Sequence, residues 1–314
     1  MMEPVIVITG PTASGKTELA VKLAGRANGE IISADSMQVY KYMDIGTAKP
    51  TVPEMRGIRH YLVDEVPPDT EFSVARFREL ALSYIAEILG RERQPIVAGG
   101  TGLYVNSLIY NINFSETVSD WELRERLKKE AEEKGNRHLY DRLRTIDPEA
   151  ASRIHENDIK RIIRAIEVQE HTGKPISWHR RISRLEPPPY RYLVFGLRWD
   201  REQLYERIDR RVELMFQKGL VDEVKGLVEK GYDKNAVAMQ GLGYKEVLSY
   251  LRGECTLDEA RYILKRDTRH YAKRQLTWFR RIEGIEWLDT DTDTDMEEQA
   301  KKVIERIASY GIIL

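Results

Sequence analysis

Gly10-Pro11-Thr12-Ala13-Ser14-Gly15-Lys16-Thr17 is the stretch on which the fold turns. It meets every fixed position of G-x-x-x-x-G-K-[ST], with a strand-like run at 5–9 before it and a helix-like run at 17–27 after it. The glycines let backbone amides converge on phosphate oxygens. Lys16 adds a point charge, Thr17 offers a hydroxyl suited to Mg²⁺, and the helix N-terminus adds partial positive charge. An ordinary glycine turn capping a helix is the plain alternative. The octet points to a diphosphate or triphosphate with Mg²⁺, and names neither the molecule nor the reaction.

Outward from the loop, residues 30–34 read as a second strand ending at Asp35, and 60–63 as a third. Residues 73–89 have helical apolar spacing, and 95–98 form a strand closed by Gly99-Gly100-Thr101-Gly102. Strands alternating with helices imply a parallel sheet covered on both faces. From 120 to 184 the pattern is helical, Pro187-Pro188-Pro189 marks a linker, and 192–197 returns to strand composition. The expected fold class is α/β, a P-loop NTPase-like parallel sheet flanked by helices, with a helical insertion domain. Core parts are expected over 1–115 and 190–314, the latter mostly helical, with the insertion at 116–189. The tract at 289–295 has the Asp-x-Asp-x-Asp spacing of a calcium loop. Thr294 stands where Gly is needed and Ala300 where Glu is needed, so the tract reads as a solvated turn.

A chain of 314 residues, 41% hydrophobic and 32% charged, is expected to be soluble, with two domains or one large domain carrying an insertion. Its net charge of -1 confines any nucleic-acid surface to a local patch. The lone Cys255 excludes a disulfide framework and a cysteine-built zinc site, and fits a reducing cytoplasm. The start, MMEPVIVITG, reads as a buried strand and not as a signal peptide or membrane span. A monomer is expected.

The loop by itself favours a kinase or NTPase. No guanine-reading Asn/Thr-Lys-x-Asp is present, and no distal apolar run ends in Asp; the nearest candidate is Ile31-Ile32-Ser33-Ala34-Asp35. Asp35 is therefore either a carboxylate holding magnesium through water or a base facing substrate. A different signal comes from residues 261–281, with eight Lys/Arg against Asp267 alone. Arg261, Lys265, Arg269 and Lys273 recur at i+4, with Tyr271, Trp278 and Phe279 interleaved, which suits a phosphate track with base stacking. A solvated amphipathic helix with core aromatics is the alternative. A second basic patch, 160–184, has seven Lys/Arg against Glu167 and Glu170, although 116–189 as a whole is nearly neutral, 16 basic to 15 acidic residues.

Several segments, in order and spanning nearly the whole chain, resemble the tRNA dimethylallyltransferase (tRNA isopentenyltransferase) family in its bacterial form. They are Asp35-Ser36-Met37-Gln38-Val39-Tyr40, Gly46-Thr47-Ala48-Lys49-Pro50, Gly99-Gly100-Thr101-Gly102-Leu103-Tyr104, Arg161-Ile162-Ile163-Arg164-Ala165-Ile166-Glu167-Val168, Gly243-Tyr244-Lys245-Glu246 and Tyr271-Ala272-Lys273-Arg274-Gln275-Leu276-Thr277-Trp278. The resemblance implies transfer of a dimethylallyl group from dimethylallyl diphosphate to N6 of the adenine beside the anticodon, position 37. ATP would be neither substrate nor energy source, although the loop invites an ATP-binding label. A small-molecule kinase, a prenyltransferase acting on free adenine nucleotides and a non-catalytic RNA-binding switch are the other functions these residues admit.

By the same resemblance, Asp35, Thr101 and Lys16 are the expected catalytic residues, with Asp35 as general base. Diphosphate is expected on Gly10 to Thr17 and on Arg207 or Arg211, with Mg²⁺ on Thr17. The anticodon stem-loop is expected to meet Asp35, Ser36, Met37, Gln38 and Thr101; then Lys160, Arg161, Ile162, Ile163 and Arg164; then Gln240, Gly241, Gly243, Tyr244 and Lys245; and finally Arg269, Lys273, Arg274, Gln275, Trp278 and Arg280.

Overall fold

The computed structural model describes residues 2–112, 120–183, 186–233 and 235–312. The strands are β1 (Pro4–Thr9), β2 (Gly29–Ser33), β3 (His60–Tyr61), β4 (Gln94–Gly99), β5 (Arg191–Trp199) and β6 (Glu286–Thr290). The helices up to the return of the sheet are α1 (Lys16–Arg26), α2 (Val52–Met55), α3 (Val74–Gly90), α4 (Gly102–Ile109), α5 (Trp121–Lys134), α6 (Asn136–Ile146), α7 (Pro148–Ala151), α8 (Ile159–Thr172) and α9 (Ile176–Ile182). After β5 come α10 (Arg201–Gln217), α11 (Leu220–Glu229), α12 (Tyr244–Leu251), α13 (Leu257–Phe279) and α14 (Met296–Ser309).

All six strands join one sheet in the order β3-β2-β4-β1-β5-β6, and every neighbouring pair is parallel. β1 is central because Val5, Ile6, Val7 and Ile8 are apolar on both faces and wholly buried, as a doubly covered parallel strand must be. α1 packs Leu19, Ala20 and Leu23 on one face, where α14 adds Met296, Ala300, Val303 and Ile307. The loops after β1, β2 and β4 therefore open at one carboxyl edge, where ligands of open α/β sheets bind.

β6 departs from the sequence reading, which expected only helix and a solvated turn in this region. The strand pairs with β5 alone, from Phe195 against Glu286 to Trp199 against Thr290, and is half-exposed. An edge strand needs no continuous apolar run, so Glu286 and Asp289 hide it in the sequence. Past it, the Asp/Thr tract is a turn closed by its own side chains. The Asp291 N–H donates to Thr294 Oγ1 at 2.8 Å, and Asp295 caps α14.

Residues Ser107–Pro188 form a separate compact unit. The expected start of the insertion, at 116, lies outside the described residues. Leu123, Leu127, Leu139, Leu143, Ile162 and Ile166 make the core of this unit. Glu167 is buried among them and accepts hydrogen bonds from Arg124 at 2.8 Å and Arg164 at 2.6 Å. A carboxylate removed from water requires such partners.

The carboxyl edge is closely packed where β4 meets the end of β2. A Cβ on Gly99 would lie 2.1 Å from the Ala34 carbonyl oxygen. The Ala34 N–H is held by Ala98 at 2.8 Å, and its carbonyl by the Thr101 N–H at 3.1 Å, so the backbone has no room to retreat. Gly99→Ala is expected to destabilise the protein by about 1–3 kcal/mol, read as a lower urea midpoint at unchanged slope.

Candidate active site

The phosphate loop is shaped by neighbours that take up its carbonyls. Trp199 Nε1 donates to the Ser14 carbonyl at 3.0 Å, and Arg207 Nε donates to the Ala13 carbonyl at 2.9 Å. The Arg207 guanidinium also lies over the Trp199 ring, 4.3 Å from its centroid. Ala13 adopts φ 64 to make this turn. The N–H groups of Ala13, Gly15, Lys16 and Thr17 are left without a hydrogen-bond partner among the described residues. Ser14 Oγ is buried there and also lacks a partner. This is a lining of donors awaiting an acceptor, which is what a polyphosphate supplies.

Gln275 ties this loop to the next one. Its Oε1 accepts from the Thr12 N–H and its Nε2 donates to the Gly100 carbonyl, both at 2.8 Å. Thr101 follows, and its Oγ1 accepts from the Ser36 N–H at 3.0 Å. Asp35 stands just before Ser36, with Oδ1 fixed by the Met37 N–H at 2.9 Å. Its Oδ2 makes no hydrogen bond among the described residues, so the carboxylate is oriented and retains an open acceptor. Tyr271 bonds to Thr101 and Gln275, and its phenol is held neutral by burial and by the charge of Asp35.

Residues 12–17 of the phosphate loop, Asp35, Arg207, Tyr271 and Gln275 line a cleft of about 690 Å³. Eight cations face it: Lys16, Lys22, Lys49, Arg56, Arg207, Arg210, Arg211 and Lys218. Only Glu18, Asp35, Asp44 and Glu54 oppose them, a surplus of four positive charges (8 − 4). Burial lowers the Lys16 pKa to about 8, the charge of Asp35 pulling it back up and that of Arg211 pushing it further down. Burial likewise lowers that of Arg211. Such a cleft suits an anion of several charges.

For magnesium, the donor set is narrow. No cluster of three or more His, Cys, Asp or Glu exists among the described residues. Thr17 and Asp35 do share the cleft. That fits an ion held by one hydroxyl, water and substrate phosphate, as Mg²⁺ commonly is, and not by an all-protein cage. On the side of β1 where β4 lies, the strand ends in Gly99-Gly100-Thr101 and offers no carboxylate.

The structure places Lys16, Asp35, residues 12–17, Arg207 and Arg211 in one cleft, with Thr101 beside Asp35 through Ser36, and it buries several of the side chains expected to meet tRNA. Ile162 and Ile163 form the apolar face of α8, and Tyr244 and Gln275 are buried as well, so these side chains serve packing and internal hydrogen bonds. Lys160 and Arg161 are exposed and Arg164 pairs with Glu167. Along α13, Lys265 pairs with Glu213 at 2.6 Å, Arg261 with Glu213 at 3.6 Å and Arg269 with Asp209 at 3.0 Å. Lys273, Arg274 and Arg280 stay exposed beyond them. Trp278 is half-buried, its ring against Gly102. Met37 packs on Gly241, Gln240 and Lys245 are exposed, and Gly243 caps α12. Sequence reading missed Trp199, Lys22, Arg56, Arg210 and Lys218, which no motif marks. The i+3/i+4 spacing of Arg207, Arg210 and Arg211 was the one available hint.

Known proteins resemble this chain over its length. The family model described as IPP transferase matches residues 38–282. A tRNA dimethylallyltransferase of Acetivibrio thermocellus is 63% identical over 313 residues, 100% of each chain. The crystal structure of a tRNA isopentenylpyrophosphate transferase from Bacillus halodurans is 43% identical, with a TM-score of 0.72 over 99% of this chain and 98% of that one. A eukaryotic dimethylallyltransferase, solved acting on tRNA, is 31% identical, with a TM-score of 0.83 over 99% of this chain and 81% of the other.

The lowered pKa of Lys16 would make the binding of a diphosphate in this cleft a proton-linked event. Above pH 8 the free amine is mostly neutral, and a diphosphate in contact with it favours the ammonium form. Binding of a diphosphate monoester at pH 9 is therefore expected to take up a proton. Its affinity should weaken as pH rises above 8. Titration calorimetry in two buffers of different ionisation enthalpy measures the uptake, and Lys16→Met should abolish it.

Proposed function

This chain belongs to the IPP transferase family, and we propose on that footing that it moves the dimethylallyl group of dimethylallyl diphosphate onto N6 of adenine 37, beside the tRNA anticodon, releasing diphosphate. It is a transferase that prenylates tRNA. The observation that carries the finer reading is the convergence of Asp35 with the phosphate loop in one cationic cleft, with Thr101 held beside Asp35 through the Ser36 amide.

The chemistry follows from charge. Breaking the allylic C–O bond leaves negative charge on the departing diphosphate, which the loop amides, Lys16 and Arg211 neutralise. Arg211 is assigned this contact because Arg207 is already engaged with the Ala13 carbonyl and Trp199. Arg207 is then a positioning residue for the loop. Mg²⁺, on Thr17 and the phosphates, would supply further neutralisation. As the N6–C bond forms, the amine proton passes to Asp35 Oδ2, the oxygen left open by the Met37 N–H. The target adenine must leave its stack to reach a cleft at the sheet edge.

For the anticodon stem-loop, support lies in the exposed cations. These are Lys160 and Arg161 on α8, Lys245 on α12, and Lys273, Arg274 and Arg280 at the end of α13 and just past it. We place the protein in the cytoplasm as a monomer. No helix among the described residues is long and apolar enough to cross a membrane.

Asp35→Asn is expected to lower single-turnover transfer by about 10²–10⁴, followed by mass spectrometry of tRNA incubated with the protein, Mg²⁺ and dimethylallyl diphosphate. Donor and tRNA affinities should stay within a few-fold of normal. Recovery of rate at raised Mg²⁺ would make Asp35 a metal carboxylate instead, and prenylation of AMP in preference to tRNA would reassign the acceptor.

The salt dependence of tRNA binding separates the two halves of α13. Neutralising Lys273 and Arg274 together should reduce the slope of log affinity against log salt by about 0.7–0.9 per lost contact. Neutralising Lys265, already paired with Glu213, should leave it nearly unchanged. Equal effects from both would contradict this division.

A further inference from the structure

Four consecutive backbone amides in the segment after β2 are held from outside. Glu223, on α11, accepts from the N–H groups of Asp44 at 2.9 Å, Ile45 at 2.7 Å and Gly46 at 3.1 Å. The Tyr244 hydroxyl donates to the same carboxylate at 2.7 Å and accepts from the Thr47 amide. The Tyr244 ring packs against Gly46, where an added Cβ would be 2.6 Å from ring carbons. The segment requires such a clamp because it carries strain: Tyr42 and Ala48 adopt φ 67 and 46. Lys49 pins its far end, between Asp44 at 2.6 Å and Asp64 at 2.5 Å, with the Tyr40 carbonyl at 2.9 Å.

The clamp has a functional address. Past the held amides, the Thr47 and Ala48 carbonyls accept from Gln38 Nε2 at 3.5 and 3.4 Å, while Ser33 Oγ donates to Gln38 Oε1 at 3.0 Å. Donor and acceptor ends of the Gln38 amide are therefore fixed before any ligand arrives. We propose that Glu223 is a positioning residue for acceptor recognition, clamping residues 44–47 with Tyr244 so that the loop carbonyls orient the Gln38 amide toward the adenine edge. Glu223 touches neither Gln38 nor the cleft lining beyond this loop. Gln38 lines the cleft beside Asp35, and the inference rests on the proposed function, with Gln38, an expected tRNA contact, meeting the acceptor adenine there.

Two measurements on the full-length enzyme test it. Hydrogen exchange, with no substrate present, should show the amides of 44–46 losing protection in Glu223→Gln, because a carboxamide has one acceptor oxygen where the carboxylate uses two. In prenyl transfer, Glu223→Gln should lower kcat/KM for tRNA, towards the roughly 10²-fold that a misplacement of about 1 Å costs. The Gln38→Ala change should then cost less in the Glu223→Gln background than in the wild type. A merely structural Glu223 would lower the melting temperature yet leave the two costs additive, and additivity overturns the proposal, as does unchanged exchange. Tyr244→Phe, which removes one hydroxyl, provides the same cycle if Glu223→Gln folds poorly. Transfer by the wild type in the same assay keeps this outcome apart from the proposed activity. A wild type that transfers, with variants that are additive, sinks this inference alone.

Discussion

The buried amide of Gln275 is the joint on which the site depends. One end accepts from Thr12 in the phosphate loop and the other donates to Gly100 in the loop after β4. From Gly100 the constraint passes to Thr101, from Thr101 Oγ1 to the Ser36 amide, and so to the adjacent Asp35. The phosphate loop and Asp35 are thereby fixed relative to one another by hydrogen bonds spanning up to 263 positions of sequence. A carboxamide is well suited to bridging two loops in this way, because it supplies a donor and an acceptor in one rigid plane, which neither a carboxylate nor a hydroxyl does at that span. Transfer between two bound reactants gains from such fixing, because geometry set in advance removes entropy from the barrier.

The cleft pays electrostatically for what it offers. Cations crowd its wall, and burial drags Lys16 and Arg211 below their ordinary pKa values. Asp35 is the one nearby carboxylate that opposes both shifts. It therefore keeps Lys16 closer to its charged form, while its own Oδ2 retains an open acceptor position. A polyanion bound there would relieve the repulsion among the cations. The cleft thus favours ligands of high negative charge over neutral ones of the same shape.

Much of this was legible from short patterns. The octet at 10–17, the glycine run at 99–102 and the apolar lead into Asp35 each declare a strand end, and three strand ends on one parallel sheet must share an edge. What could not be read was any partner chosen by tertiary contact. Trp199 and Arg207 hold the phosphate loop from β5 and α10, and Glu223 holds residues 44–46 from α11. β6 was hidden for a related reason: an edge strand half in water needs no apolar run. The basic periodicity of α13 was visible, but not that Glu213 and Asp209 on α10 face three of its four repeats.

That last pairing bears on how one helix serves two purposes. Ion pairs near the surface contribute little to stability, so half-buried Lys265 and Arg261 opposite Glu213 are weak evidence of a fastening. Their larger effect is on the field. Each acid on α10 cancels a positive charge along the first part of α13, leaving Lys273, Arg274 and Arg280 as the uncancelled end. A polyanion approaching the helix is drawn most strongly there, and this end is also where Tyr271 and Gln275 enter the cleft. Charge cancellation therefore localises attraction at the turn of helix whose Gln275 ties the phosphate loop to the loop after β4, where an anion held on a uniformly basic helix would be free to slide along it.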